Sequence, residues 1–341
     1  YPQSLINNNS NLPFFLACPT LFNYQNNSNP LENKVKNEPS IIYKNKESLK
    51  LYKIGETYSC SGKNKKWNGD CLFKVISGIK TGNNSKYLYE NPKKDLVISD
   101  DDAVKLSKEE AENGIMSEKE KAYVSFELGK SSDTKDGILP CYYQEPSDVF
   151  IDWSSSSVTS MKNESHSDLA NKEFRFVNLS EQLSFSTTGQ YAPTFRISVG
   201  MIFLNKASRI FLSNTTNNIS WLGLLNSKLF KYFTKNFSNH SVEFGVEDLK
   251  SIIFIDCLPI IEHLAKQIVE NQKNNPLYDY ASNEQIEIDK LVYQAYGLNA
   301  DDVQEVENWY ARRYPKLSAA QKANLRKLGK SDDYLELYGM K

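Results

Sequence analysis

Six cations and no anion lie between Glu181 and Glu243: Arg196, Lys206, Arg209, Lys228, Lys231 and Lys235. The formal net charge of the 341-residue chain is −1, so a segment this one-sided points to a polyanionic partner whose phosphates the cations would neutralise. A basic loop, Lys63-Asn-Lys-Lys-Trp67, adds Lys65 and Lys66. A second kind of chemistry sits on the turn Gly78-Ile-Lys-Thr-Gly-Asn-Asn84. Two glycines bound a tight polar turn on which Lys80, Thr81, Asn83 and Asn84 could hold phosphate or aim amides at base edges. An ordinary hairpin loop satisfies the same spacing. Thr188 and Tyr191, on a turn that leads to Arg196, and His240, in an Asn/Ser loop, complete the polar and aromatic candidates.

The elements that position these residues follow from periodicity. Over Trp221–Lys235 a helix would place Leu222, Leu225, Leu229 and Phe233 on one face and Lys228, Lys231 and Lys235 on an adjoining flank. Alternation predicts strands at Ser48–Ile54, Leu72–Ile76, Val149–Trp153, Glu173–Val177, Leu183–Gly189, Pro193–Phe203, Arg209–Leu212 and Ile252–Ile255. Residues 1–40 are rich in Asn, Ser and Pro and read as short strands or turns joined by polar loop. Residues 92–137 carry a carboxylate-rich stretch that reads as a solvated helix or insertion. From Pro259 the pattern turns helical. One helix ends at Asn274-Asn-Pro276, a second stops at Gly297, a third runs from Asn299 to Pro315, and a last one covers Ser318 to Gly329.

Catalytic chemistry is what the residues fail to supply. Cys18, Cys60, Cys71, Cys141 and Cys257 are too dispersed for a metal site or a disulfide framework. They read as reduced, buried thiols of a cytoplasmic protein. The three histidines are equally sparse. Ser154–Ser157 lies near His166, but no Gly-x-Ser-x-Gly elbow fixes a nucleophile, and the serine run reads as loop. No apolar run reaches the roughly 20 residues that span a bilayer, so no membrane is expected among the partners. The chain opens on Tyr1 rather than Met, which reads as a piece of a longer protein.

Several stretches, in order, resemble one family. These are the Gly78-Ile-Lys-Thr-Gly-Asn-Asn84 turn, the Phe185-Ser-Thr-Thr-Gly189 turn with Tyr191 and Arg196, and Leu224-Leu-Asn-Ser-Lys228. Asn239-His-Ser-Val242, Asp248-Leu-Lys250 and Ile288-Asp-Lys-Leu-Val-Tyr-Gln-Ala-Tyr-Gly-Leu298 follow. Together they look like the DNA target-recognition region of adenine-specific (N6) DNA methyltransferases of the TaqI-like and type IIG restriction–modification kind, from about Leu49 to Leu317. The family's catalytic signatures are missing, since the chain has no Pro-Pro pair and no Gly-x-Gly. The (Asn/Asp)-Pro-Pro-(Tyr/Phe) turn that holds a flipped adenine is therefore absent, as is the glycine turn for S-adenosylmethionine.

The resemblance implies an α/β protein, with a mixed twisted sheet as target-recognition domain followed by a C-terminal helical subdomain. Residues 1–45 would be the tail of a preceding domain or a linker, 46–257 the recognition domain and 258–341 the helical subdomain. The implied function is sequence-specific recognition of double-stranded DNA on behalf of a methyltransferase domain or subunit, in cis or in trans. The chain itself would be neither catalytic nor cofactor-bound, S-adenosylmethionine belonging to the parent enzyme, to which a restriction nuclease could also be fused. Lys65, Lys66, Lys80, Thr81, Asn83, Asn84, Thr188, Tyr191, Arg196, Lys228, Lys231, Lys235 and His240 are the expected DNA contacts. The alternative is a protein-interaction module whose positive segment meets an acidic partner.

Overall fold

The computed structural model describes residues 51–53, 73–90, 96–98, 106–116, 121–129, 141–144, 148–169, 182–189, 191–198, 202–212, 218–238, 241, 243–245, 248–249, 253–255 and 259–340. The strand expected at Glu173–Val177 and the whole of residues 1–40 lie outside them. The described part is mixed α/β, with two five-stranded sheets, a two-stranded pair and a helical C-terminal part. The pair joins β1 (Leu51–Lys53) antiparallel to a strand at Ile253–Ile255.

The first sheet is centred on a strand from the stretch expected to be solvated. Ala122–Glu127 (β5) is a strand buried along its whole length, not part of an acidic insertion. β2 (Phe73–Ile76) precedes this sheet in the chain but belongs to the second one. β3 (Leu88–Glu90) pairs antiparallel with β7 (Val149–Asp152), which in turn pairs antiparallel with β5. The other edge of β5 carries β4 (Leu96–Ile98) and β10 (Ile202–Phe203) one after the other, both parallel to it. Three short helices punctuate this half: α1 (Asn84–Tyr87), α2 (Lys108–Asn113) and α3 (Ser155–Lys162). Ser107 and Glu110 close a capping box on α2, and the Trp153 indole N–H donates to the Glu110 carbonyl at 3.0 Å. The serine run expected as loop instead starts α3, with Ser154 as its N-cap. Ile79, Tyr87, Val124, Phe126, Ile151, Trp153 and Met161 belong to the core of this half.

The second sheet has the order β2, β11, β8, β9, β6. β8 spans Gln182–Ser186, β9 Phe195–Ser198, β11 Ala207–Leu212 and β6 Tyr142–Tyr143. All pairs are antiparallel except β6 with β9. The long strand expected over Pro193–Phe203 is two strands, β9 in this sheet and β10 in the other. Strand alternation sorts the faces. Leu183, Phe185, Phe195, Ile197 and Ile210 pack into the core under the helices, and Ser184, Arg196 and Arg209 form a row on the other face.

The helix expected over Trp221–Lys235 is broken at Ser227 into α4 (Asn218–Asn226) and α5 (Lys228–Phe233), followed by a π-turn at Thr234–Ser238. The Ser227 side chain accepts from Phe230 N and so starts the second helix afresh. After β12 (Ile253–Ile255) come α6 (Pro259–Asn274), α7 (Glu284–Ala295), α8 (Ala300–Arg313), α9 (Pro315–Lys327) and α10 (Tyr334–Leu337). Their punctuation is local. Gly297 takes φ 69° after α7, Asn299 makes a capping box with Asp302, and Pro315 opens α9. α4 lies against α6 so closely that a Cβ at Gly223 would sit 2.5 Å from Ile261 Cγ2. One hydrophobic core holds Leu183, Phe195, Leu222 and Leu229 together with Ile261, Ile268, Val292 and Val306, so it is continuous across residue 258.

Candidate functional site

The Gly-bounded turn is an exposed corner of the first half, held from beneath. Lys80 N donates to the Asp168 carbonyl at 2.9 Å, and Asp168 N donates back to the Lys80 carbonyl at 2.8 Å. A Cβ at Gly78 would meet the Phe203 carbonyl oxygen at 2.1 Å, so only glycine lets the turn approach β10 this closely. Gly82 takes φ 81°, and its missing side chain makes room for Glu164. Lys86 Nζ lies 3.0 Å from Glu164 Oε1, and the Tyr87 hydroxyl donates to the same oxygen at 2.9 Å. The bonds to Tyr87 and Glu164 raise the Lys86 pKa, and the Lys86 ammonium lowers that of Glu164.

Within this corner the two asparagines differ. Asn83 Oδ1 accepts from Ser85 Oγ at 2.8 Å and from Lys86 N at 3.3 Å, which fills both lone pairs of the carbonyl. Asn84 Oδ1 accepts once, from the buried Thr81 hydroxyl at 2.6 Å. Asn84 therefore keeps one acceptor lone pair and both amide protons for a ligand, whereas Asn83 can only donate. Both residues and Lys80 are exposed.

The positive segment is placed otherwise than expected. Lys228, Lys231 and Lys235 are 3%, 4% and 8% exposed, and Arg196 and Arg209 are 0% exposed. The carboxylates that pair with Arg209 and Lys228 come from outside the segment, and Arg196, Lys231 and Lys235 bond to neutral groups within it, which is why a carboxylate-free stretch misled. Arg209 Nη2 pairs with Glu127 Oε2 at 2.9 Å, and Ser184 Oγ donates to the other Glu127 oxygen at 3.1 Å. Arg196 donates to Thr194 Oγ1 and Ser186 Oγ. Lys228 Nζ pairs with Glu307 Oε2 at 2.7 Å, within reach of the Tyr338 hydroxyl at 3.2 Å and over the Tyr310 ring at 4.8 Å. Lys231 Nζ donates to the Asn226 carbonyl and Lys235 Nζ to that of Ser241. Burial works to lower the Lys228 pKa, but Glu307 and Asp289 outweigh it and leave the ammonium above its ordinary value. Burial lowers Lys231, and burial with the nearby Arg313 lowers Lys235. The flank expected to meet phosphates is thus a buried polar seam between α5 and the C-terminal helices.

That seam contains groups the sequence did not single out. Asp289 Oδ1 accepts from Lys228 N at 2.9 Å and from Gln285 Nε2 at 3.1 Å, while its Oδ2 has no hydrogen-bond partner. Burial, reinforced by Glu307 and opposed by Lys228, raises the Asp289 pKa to about 6. Tyr293 donates to Glu307 Oε1 at 2.6 Å, and Tyr142, held at φ 70°, donates to Gln285 Oε1 at 2.5 Å. Only helix phasing across α7 and α8 could have found Asp289 and Glu307, since neither stands in a chemical motif.

Of the remaining candidates, Thr188 is half-buried and bridges to Glu243. Tyr191 stacks on Tyr314 with ring centroids 4.9 Å apart. Lys65, Lys66 and His240 lie outside the described residues. The structure thus brings Lys80, Thr81, Asn83 and Asn84 together on one corner. Among the described residues no group of three His, Cys, Asp or Glu side chains is placed to hold a metal ion, and no helix is long and apolar enough to cross a membrane. No protein-family model and no curated protein matches the chain.

Proposed function

We propose that this chain reads the sequence of double-stranded DNA for an adenine-N6 DNA methyltransferase and is its specificity part rather than its catalytic part. The observation that carries this reading is Asn84, exposed on a hydrogen-bonded, glycine-bounded corner with its carbonyl steered by Thr81 and one acceptor and two donors left over. A carboxamide so prepared matches the N6 donor and N7 acceptor that adenine presents in the major groove. Asn83 and Lys80 beside it supply donors, which suit guanine O6 and N7, thymine O4 or a phosphate. The ordered likeness to target-recognition regions supports the same assignment. The residues present do not fit S-adenosylmethionine, because the chain has no Gly-x-Gly turn, so the methyl donor belongs to a methyltransferase domain or subunit in cis or in trans.

The test uses the chain together with that methyltransferase, given S-adenosylmethionine and a randomised duplex pool, with sequencing of the methylated products. Asn84→Ala should relax the preference at one base pair, by about 1–3 kcal/mol for removal of a bidentate hydrogen-bond pair. Methylation by the 341 residues alone would overturn the division of labour. An unchanged site preference in Asn84→Ala would overturn the role given to this corner.

A further inference from the structure

The burial of the central lysines leaves a DNA-reading protein without its expected phosphate anchor, and another part of the surface has the chemistry to supply one. Between Glu307 and Asp332 the chain has no Asp or Glu but carries Arg312, Arg313, Lys316, Lys322, Arg326, Lys327 and Lys330. Here the charge is at the surface. Arg312, Arg313, Lys316, Arg326, Lys327 and Lys330 are all exposed.

α9 organises this charge. Its buried side is Ser318, Gln321 and Leu325, packed against the core. The opposite side carries Lys316, Ala320, Ala323 and Lys327 at spacings of four, three and four residues, which is one line along a helix. Ala319 and Arg326 flank that line and are exposed as well. Two cations therefore stand about 16 Å apart along the helix axis with only methyl groups between them. A surface without intervening bulk can come close to a smooth, extended anion. Among the described residues Lys316 and Lys327 have no ion-pair partner. Arg312 meets Glu305 at 3.5 Å, and Arg326 meets Asp332, in pairs whose arginine side chains are 66% and 70% exposed. Pairs so open to solvent hold little energy and can be exchanged for a phosphate.

We infer that the outer face of α9, Lys316, Arg326 and Lys327 with Arg312 and Arg313 before it, docks the phosphate backbone of duplex nucleic acid. Charge complementarity selects the partner, since the face is extended, carries cations and no carboxylate along α9, and has at its centre only alanine methyls rather than the large apolar side chains a protein partner would bury. It would touch phosphates and carry no sequence information, leaving that to the Gly78–Asn84 corner. It rests on the DNA reading for its biological sense, but phosphate docking can be measured on its own.

The experiment measures binding of the full chain to a fluorescent duplex of arbitrary sequence over a series of salt concentrations. The triple variant Lys316→Gln/Arg326→Gln/Lys327→Gln is compared with a control of equal charge change, Lys266→Gln/Lys273→Gln/Lys290→Gln, and thermal melts establish that both are folded. The α9 variant should weaken low-salt binding at least tenfold and reduce the salt slope by between two and three, about 0.9 for each phosphate no longer neutralised. The control should leave the slope unchanged. Equal slopes for the α9 variant and the unaltered chain would overturn the inference, as would failure of the unaltered chain to bind any duplex at low salt. Competition by polyglutamate as effective as that by duplex would also overturn it and mark the face as a site for an acidic protein. A salt slope that falls in the α9 variant as expected, beside an Asn84→Ala variant with unchanged site preference, would support phosphate docking and overturn the Asn84 reading alone.

Discussion

Lys228 and Glu307, 79 residues apart in sequence, meet at 2.7 Å inside the core, with side chains 4% and 0% exposed. The pair joins α5 to α8 and sets its charge among the rings of Tyr310, Tyr334 and Tyr338. An ion pair so enclosed need not stabilise the fold over an apolar equivalent, yet breaking it from one side strands a buried charge. Lys228→Met should therefore cost about 3–5 kcal/mol in urea unfolding. Adding Glu307→Gln, which keeps the acceptor for Tyr293, should recover a large part of the loss. A cost below about 1 kcal/mol for Lys228→Met, the level of exposed pairs, would show that the lysine is not enclosed.

Gly223 gives a second test. An alanine there must push Ile261 Cγ2 from 2.5 Å, and a β-branched side chain in a packed helix has little freedom to move. Gly223→Ala gains up to about 1 kcal/mol of helix propensity, and overpacking costs about 1–3 kcal/mol. The net change should be destabilising, read as a lower urea midpoint. A more stable Gly223→Ala variant would mean that α4 and α6 stand further apart.

Asp289 should make stability depend on pH. Its folded pKa of about 6 lies above the ordinary 3.8, so the folded protein holds this proton more tightly than the unfolded chain. The stabilisation is fully present below about pH 4 and is lost as pH rises through about 6. Asp289→Asn has no such proton, and its stability relative to the unaltered chain should rise by up to about 3 kcal/mol between pH 4 and 7. Urea titrations of both proteins across that range provide the measurement. A difference that stays constant with pH would show that Asp289 ionises freely in the fold.

Asn83 and Asn84 should separate structure from recognition. Asn83 caps α1 with its saturated carbonyl, so Asn83→Ala should cost about 1 kcal/mol of stability. Its effect on base preference should be smaller than that of Asn84→Ala. Thermal melts and methylation-site sequencing read the two effects, and the reverse order would exchange the roles of the two amides.

The C-terminal helices were legible because their signals are local. Pro259, Gly297, Asn299 and Pro315 each mark a boundary within a residue or two of the helix end they serve. The turn at Gly78–Asn84 was legible for the same reason, since Thr81 and Asn84 are three residues apart. The central lysines were not. Helical spacing places Lys228 and Lys231 on a common flank but cannot say whether that flank meets water, because the groups that neutralise it lie on α7 and α8. β5 was missed for a related reason. The acidic residues that surround it in sequence coloured the whole stretch, although Glu127 itself is buried against Arg209. The split of Pro193–Phe203 between two sheets leaves one local trace, Gly200 between the pieces, which the strand-like composition on either side outweighed.

The core continuous across residue 258 bears on how such a protein can be cut and grafted. Leu222 and Leu225 share their environment with Ile261, Ile268 and Val292, so a graft ending at residue 257 would carry an uncovered apolar face into its new host. Exchange of segments between chains built this way has to move α6 through α10 together with the sheet they cover. The junction that tolerates recombination must then lie upstream of the first sheet or beyond α10, and the unit that can be transplanted is the whole assembly of sheets and helices.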